Sequence, residues 1–266
     1  MTEPLDAPLA PAGAPDPAAA PVLLITGASR GIGAATARLA AQRGWDIGLN
    51  FARDTAAAEA VAAQVRALGR RALLLPADVG DEAQVLAMFQ ALAAGLGRLQ
   101  GLVNNAGVVD VAARVDEMSL ARWERLFRIN VFGSLLCARE AVRRMSHRHG
   151  GPGGAIVNVS SVASRLGAPG QYVDYAASKA AIDTFTVGLA REVAAEGVRV
   201  NAVLPGIIDT DIHASGGQPD RAWRLAPQVP MQRPGTAEEV AAAIVWLLSA
   251  DAGYTTGALL DVNGGR

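Results

Sequence analysis

Apolar and polar positions divide the chain into alternating short and long segments. Val22-Leu-Leu-Ile-Thr26 is a short apolar run with β-branched residues, the pattern of a strand buried on both faces. A glycine turn and an Ala-rich helical segment ending near Gly44 follow it. The alternation continues, with strands predicted at 45–51, 72–75, 99–103, 155–161, 198–204 and 258–262. Helices are predicted over 55–68, 81–95, 120–149, 175–197 and 236–248, the last with acidic Glu238 and Glu239 in its first turn. Such alternation predicts an α/β fold with a doubly wound parallel sheet. Residues 211–235 have no strong period and read as a functional loop or lid. Residues 1–20 are Ala- and Pro-rich and read as a disordered tail. No linker or repeat divides residues 21–266, which read as one domain.

Composition narrows the function classes. A chain of 266 residues with 51% hydrophobic content can bury a large core, and its net charge of -1 carries no general nucleic-acid footprint. Cys137 is the one cysteine; this excludes an internal disulfide and fits a reducing compartment, with the thiol as a small core residue. His147, His149 and His213 form no metal set with it, so no metal is expected. No apolar run reaches the roughly 20 residues needed to span a bilayer, and the acidic start of the tail is unlike a signal peptide. A cytoplasmic protein is expected.

Candidate chemistry begins at Gly27-Ala-Ser29-Arg30-Gly31-Ile32-Gly33. A strand, a glycine turn and a helix N-terminus aim backbone N–H groups and the helix dipole at a phosphate. The spacing is G-x-x-x-G-x-G rather than the common G-x-G-x-x-G. The second strand ends Asn50-Phe51-Ala52-Arg53, with no acid before Asp54. An NAD site places a carboxylate there for the ribose 2′-hydroxyl, whereas arginine suits a 2′-phosphate; Arg30 and Arg53 therefore favour NADP(H) over NAD(H). Asp78 suits either an adenine amino group or a helix cap. Asn104-Asn105-Ala106-Gly107 puts small and amide groups at the carboxyl end of a strand, where a ligand crevice opens. Asn130 lies inside a helical pattern, and Ser160 and Ser161 end the fifth strand.

Tyr175-Ala-Ala-Ser-Lys179 contains the only lysine of the sequence. Positions i and i+4 share a helix face, so the ammonium is expected beside the phenol. A phenol titrates near about 10, and a nearby positive charge lowers that value. A drop of roughly 3 units takes about 4 kcal/mol, more than one lysine is expected to supply without a cationic cofactor.

These motifs, with Pro205-Gly206, stand in the order of the classical short-chain dehydrogenase/reductase family, which residues 21–266 closely resemble. The resemblance implies a single Rossmann-type domain with a seven-stranded sheet, a nicotinamide cofactor and a homotetramer. It implies that Tyr175 exchanges a proton with the substrate oxygen. Lys179 holds the nicotinamide ribose and lowers the tyrosine pKa, Ser161 hydrogen-bonds the substrate oxygen, and Asn130 supports a water linking Lys179 to solvent. Gly27 and Ser29 to Gly33 cradle phosphates, Asp78 and Asn105 contact the adenosine half, and Ile208 and Thr210 meet the carboxamide. Phe51, Arg53, Val79, Ala106, Gly107, Pro205 and Gly206 complete the expected cofactor site, with Tyr175 and Lys179. One departure stands out: Ser161 is one residue further from Tyr175 than usual, and Val162 holds the usual position. An inserted residue in 165–174 explains this most simply, with Ser160 and Ser164 as other candidates. The implied activity interconverts a carbonyl and an alcohol, ketoreductase-like, on a small-molecule substrate. A dinucleotide sensor without catalysis, an NAD-dependent sugar dehydrogenase and a methyltransferase are alternatives; the sensor and the methyltransferase leave Tyr175 and Lys179 unexplained.

Overall fold

Strand residues alternate between two faces, and both faces of this sheet are apolar. The computed structural model describes residues 20–266. The strands are β1 (Val22–Ile25), β2 (Asp46–Phe51), β3 (Ala72–Pro76), β4 (Leu99–Asn104), β5 (Gly154–Val159), β6 (Val198–Pro205) and β7 (Leu259–Val262). They form one sheet in the order β3-β2-β1-β4-β5-β6-β7, every neighbouring pair parallel. The helices are α1 (Gly31–Gln42), α2 (Thr55–Ala67), α3 (Glu82–Leu96), α4 (Leu120–Phe127), α5 (Gly133–Met145), α6 (Ala163–Leu166), α7 (Val173–Val193), α8 (Ile212–Ser215), α9 (Arg221–Leu225) and α10 (Ala237–Leu248). In β1, Leu23 and Ile25 pack with α1, α2 and α10, while Val22 and Leu24 pack with α3, α5 and α7. Parallel strands covered on both sides need this continuous hydrophobicity.

The strand order reverses between β1 and β4, and a ligand crevice opens at the carboxyl ends there. The glycine turn after β1 and the Asn105 turn after β4 flank that crevice. A buried amide chain braces it: Asn104 Nδ2 donates to Asn158 Oδ1 (3.0 Å), and Asn158 Nδ2 donates to Thr186 Oγ1 (2.9 Å), joining β4, β5 and α7.

The structure corrects the expected helix over 120–149. It divides into α4, a π-helical turn at Arg128–Phe132 and α5, which ends at Met145. Ser146 is extended and its hydroxyl accepts the Arg148 N–H (3.0 Å), starting a separate short turn. Helix α7 begins two residues before Tyr175, and α8 and α9 give the irregular 211–235 stretch local helical structure. The expected tail lies, except for residue 20, outside the described residues. Among these, no helix is long and apolar enough to cross a membrane. Cys137 is buried, and desolvation pushes its thiol up to about 12, as suits a core residue.

Candidate active site

At Gly33 the backbone has no room for a side chain. A Cβ on Gly33 would lie 2.4 Å from Gly27 O and 2.6 Å from Asn105 Nδ2, and Gly27 and Gly31 have φ of 62° and 54°, values that favour glycine. Two asparagines hold the turn. Asn105 Nδ2 donates to Thr26 O and Gly27 O (both 2.9 Å), and Thr26 Oγ1 accepts from the N–H groups of Asn105 and Ala106 (both 3.0 Å). Asn50 Oδ1 accepts from Gly27 N (3.2 Å) while its Nδ2 donates to Leu75 O and Ala77 O (both 3.0 Å). Asn50 had no assigned role in the sequence; a buried amide ending an apolar strand was the available signal.

Helix α1 opens differently from its neighbours. Asp54, Asp81 and Thr236 cap α2, α3 and α10 with side-chain oxygens. Arg30, at the start of α1, makes no such cap, and the first turn contains no acid. Its leading N–H groups are left for an external anion. Arg30 and Arg53 are exposed, and neither has an ion-pair partner among the described residues. Asp54, the first acid after β2, is occupied as the α2 cap (3.0 Å to Ala57 N). Asp78 does not cap α3, because Asp81 does; its carboxylate instead accepts from Gly80 N and Arg128 Nη1 (both 2.9 Å). Phe51 and Val79 have buried side chains, so only their backbones are placed to meet a ligand.

Ser161, Tyr175 and Lys179 converge on the crevice. Tyr175 lies in the first turn of α7, and the Ser161 side chain lines the same cavity and is the group that acts on its phenol. Ser160 Oγ instead donates to Lys179 O (3.2 Å), and Ser164 Oγ to Ser161 O (2.9 Å). Ser161 is thus the serine brought to the phenol despite its longer spacing. The intervening loop accommodates that spacing with α6 and three residues of positive φ, Gly167, Ala168 and Gly170. Lys179 Nζ sits 5.6 Å from the centre of the Tyr175 ring and donates to Val159 O (2.8 Å). An ammonium has three donors, so this buried amine keeps donors for a ligand.

Electrostatics modify the expectation for the phenol. With protein groups alone, burial pushes Tyr175 up to about 12, opposed by the Ser161 hydroxyl. Lys179 does not lower it; burial pulls the lysine itself down to about 8, opposed by Asp183. Desolvation disfavours both charged forms and outweighs the opposing effects of Ser161 and Asp183. The lysine value has a consequence for stability. Folding depresses Lys179 from 10.5 to about 8, so the unfolded chain holds that proton more tightly. Relative to Lys179→Met, the wild type should gain on the order of 1–2 kcal/mol between about pH 8 and 9.5. Denaturant melts of both proteins across that range check this; parallel curves would refute it.

Asn130 is 1% exposed and lies in the π-helical turn, an irregularity frequent at functional sites. Its Oδ1 accepts from Val108 N (2.8 Å), and its Nδ2 donates to Val108 O (3.0 Å) and Ser178 Oγ (3.2 Å). It clamps the chain after β4 against α7. Gly107 lies between them: its added Cβ would be 3.5 Å from Asn130 Oδ1 and 3.6 Å from Lys179 Nζ. Upstream of Tyr175, Asp174 joins Arg122 through two hydrogen bonds (2.7 and 3.2 Å) and accepts Tyr175 N (2.9 Å). That pair was absent from the sequence reading; an acid in the first turn of the helix was its signal.

A cavity of about 680 Å³ extends from Ser161, Tyr175 and Lys179 past Pro205 and Gly206 to Ile208 and Thr210. Thr210 covers the glycine turn, with a Cβ on Gly31 reaching 3.6 Å from its side chain, and Gly206 backs onto Asn263 with no room for a Cβ. A sequence profile described as enoyl-(acyl carrier protein) reductase matches residues 27–266. The chain belongs to the short-chain dehydrogenase/reductase family. It is 54% identical over 245 residues to the uncharacterised oxidoreductase YgfF of Escherichia coli K12, covering 92% of this chain and 99% of that one. It is 42% identical over 246 residues to cis-4-hydroxycyclohexanecarboxylate dehydrogenase of Sinomonas cyclohexanicum, with 92% and 95% covered. The crystal structure of a short-chain dehydrogenase from Burkholderia cenocepacia in complex with NADP matches with a TM-score of 0.84 and 33% identity, covering 91% and 96% of the two chains. As a member of this family, the protein is an NAD(P)-dependent oxidoreductase acting between an alcohol and a carbonyl.

Proposed function

We propose that the protein reduces a ketone to a secondary alcohol with NADPH, in the manner of a ketoreductase. The observation that carries this is the convergence of half-buried Tyr175 with buried Ser161 and Lys179 at the crevice beside an uncapped helix N-terminus. The donors of α1 and the glycine turn suit the diphosphate, and the unshared donors of Lys179 suit the ribose. When bound, the nicotinamide supplies the hydride. Tyr175, whose burial keeps it protonated, gives its proton to the substrate oxygen. Ser161 holds that oxygen in line with the phenol, and Lys179 adds positive charge as the phenolate forms. Asn130 positions the loop after β4 and a water through which Lys179 exchanges protons.

Exposed Arg30 and Arg53, with Asp54 diverted to a cap, support the 2′-phosphate preference. NADPH should bind more tightly than NADH, and Arg53→Asp should narrow the gap by roughly tenfold. Fluorescence titration of both cofactors reads it; equal affinities in the parent protein would remove the preference. Consumption of NADPH against a ketone panel, followed by absorbance, tests the activity. The carboxylated cyclohexanol named for the Sinomonas relative supports a cyclic secondary alcohol or ketone as the class to try first. A homotetramer is also proposed, with the helices of residues 120–149 and 175–197 at one interface, supported by the exposed Leu120 and Phe132; a cytoplasmic location is proposed as well.

A further inference from the structure

Two half-buried arginines elsewhere in this chain are well supplied with acceptors. Arg122 holds Asp174, and Arg199 donates to the carbonyls of Leu247 (2.8 Å) and Ser249 (3.0 Å). The wall of the catalytic cavity differs. Arg221, Arg224 and Arg266 line it, and no aspartate or glutamate does. Arg266 Nη1 is buried with no hydrogen-bond partner. Arg221 stacks over the Tyr172 ring at 5.1 Å, and neither it nor Arg266 has a carboxylate partner among the described residues. Burial and the charges of Arg266 and Arg224 both destabilise the Arg221 cation. A buried donor without an acceptor costs free energy, and clustered cations add repulsion. An anionic ligand removes both penalties.

The cluster is tied to the catalytic helix. Tyr172, three residues before Tyr175, carries Arg221 on its ring and accepts from Gln218 Nε2 (3.0 Å) at its hydroxyl. Arg224 in turn donates to Gln218 Oε1. The guanidiniums and the phenol of Tyr175 thus face one cavity.

We propose that Arg221 and Arg266 bind an oxyanion, carboxylate or phosphate, carried by the same substrate whose carbonyl meets Tyr175. The protein is then a reductase of keto acids or keto phosphates. This rests on the ketoreductase assignment above and deepens it. Guanidinium forks match both oxyanions bidentately, and a neutral analogue leaves the donors unpaired, which is how polar sites discriminate.

The test is equilibrium binding to the full chain saturated with NADP+, by titration calorimetry. Two probe pairs are used: 4-oxocyclohexanecarboxylate against its methyl ester, and dihydroxyacetone phosphate against dihydroxyacetone. At least one anion should bind roughly tenfold or more tighter than its neutral partner; which pair shows the gap identifies the oxyanion. Arg221→Gln and Arg266→Gln, separately and combined, should erase that gap while NADPH affinity stays at the parent level. No gap in either pair overturns the proposal, as does a gap that survives the double substitution. Loss of NADPH affinity in these variants also overturns it, by assigning the arginines to the cofactor phosphates. Failure of the parent protein to bind NADPH at all would instead refute the ketoreductase assignment, so the two failures are distinguishable.

Discussion

Replacing Tyr175 with phenylalanine should lower kcat for ketone reduction by roughly 10²- to 10⁴-fold and leave NADPH affinity unchanged. The substitution removes one oxygen and keeps the ring that packs beneath Lys179 Nζ at 5.6 Å. The hydroxyl it removes lines the cavity with Ser161 and, because burial pushes it up to about 12, is protonated throughout the neutral range. A group in that state can donate a proton to a developing alkoxide. It needs help to act in the reverse direction, because Lys179 alone does not offset desolvation of the phenolate. Reduction should therefore dominate at neutral pH, and alcohol oxidation should rise with pH. Steady-state rates in both directions, with cofactor affinity measured separately, check this. Near-parent kcat in the variant, against a substrate the parent turns over, would remove the proton role.

Asp174→Ala should cost about 3–5 kcal/mol of stability, the usual penalty for stranding one member of a buried ion pair. The Asp174 side chain is 2% exposed and that of Arg122 10%. Arg122 also donates to Val111 O (2.6 Å), fixing the segment after β4. Asp174 accepts the Tyr175 N–H (2.9 Å) and so anchors the turn that presents the phenol. The variant should lose kcat more than it raises KM, since Tyr175 is misplaced while the cofactor cradle stays intact. Arg122→Met combined with Asp174→Ala should recover part of the stability, because no uncompensated charge remains. Denaturant unfolding of the three proteins reads the energies; a single-variant loss below about 1 kcal/mol would mark the pair as solvated rather than buried.

Much of the molecule was legible in its sequence. The strands and most helices were legible because a strand covered on both faces must be apolar throughout, and a helix covered on one face must repeat at its own period. Tyr175 and Lys179 were paired by helical spacing alone, and the glycine turn was marked by its place between an apolar strand and a helix N-terminus. Other features depend on atoms far apart in the chain. The π-helical turn that buries Asn130 was hidden within one continuous helical pattern, because a single extra residue per turn barely alters periodicity. The choice among Ser160, Ser161 and Ser164 depended on how the 162–172 loop absorbs its extra residue. The pKa values of Tyr175 and Lys179 followed from desolvation, which no spacing rule measures. The arginine-lined wall joins Arg221 to Arg266, and only folding brings those charges to one cavity. Local periodicity is written residue by residue, and so the sequence by itself determined the elements and the candidate chemistry. Burial and long-range proximity arise from packing, and only the tertiary structure decided which candidates meet and in what electrostatic state.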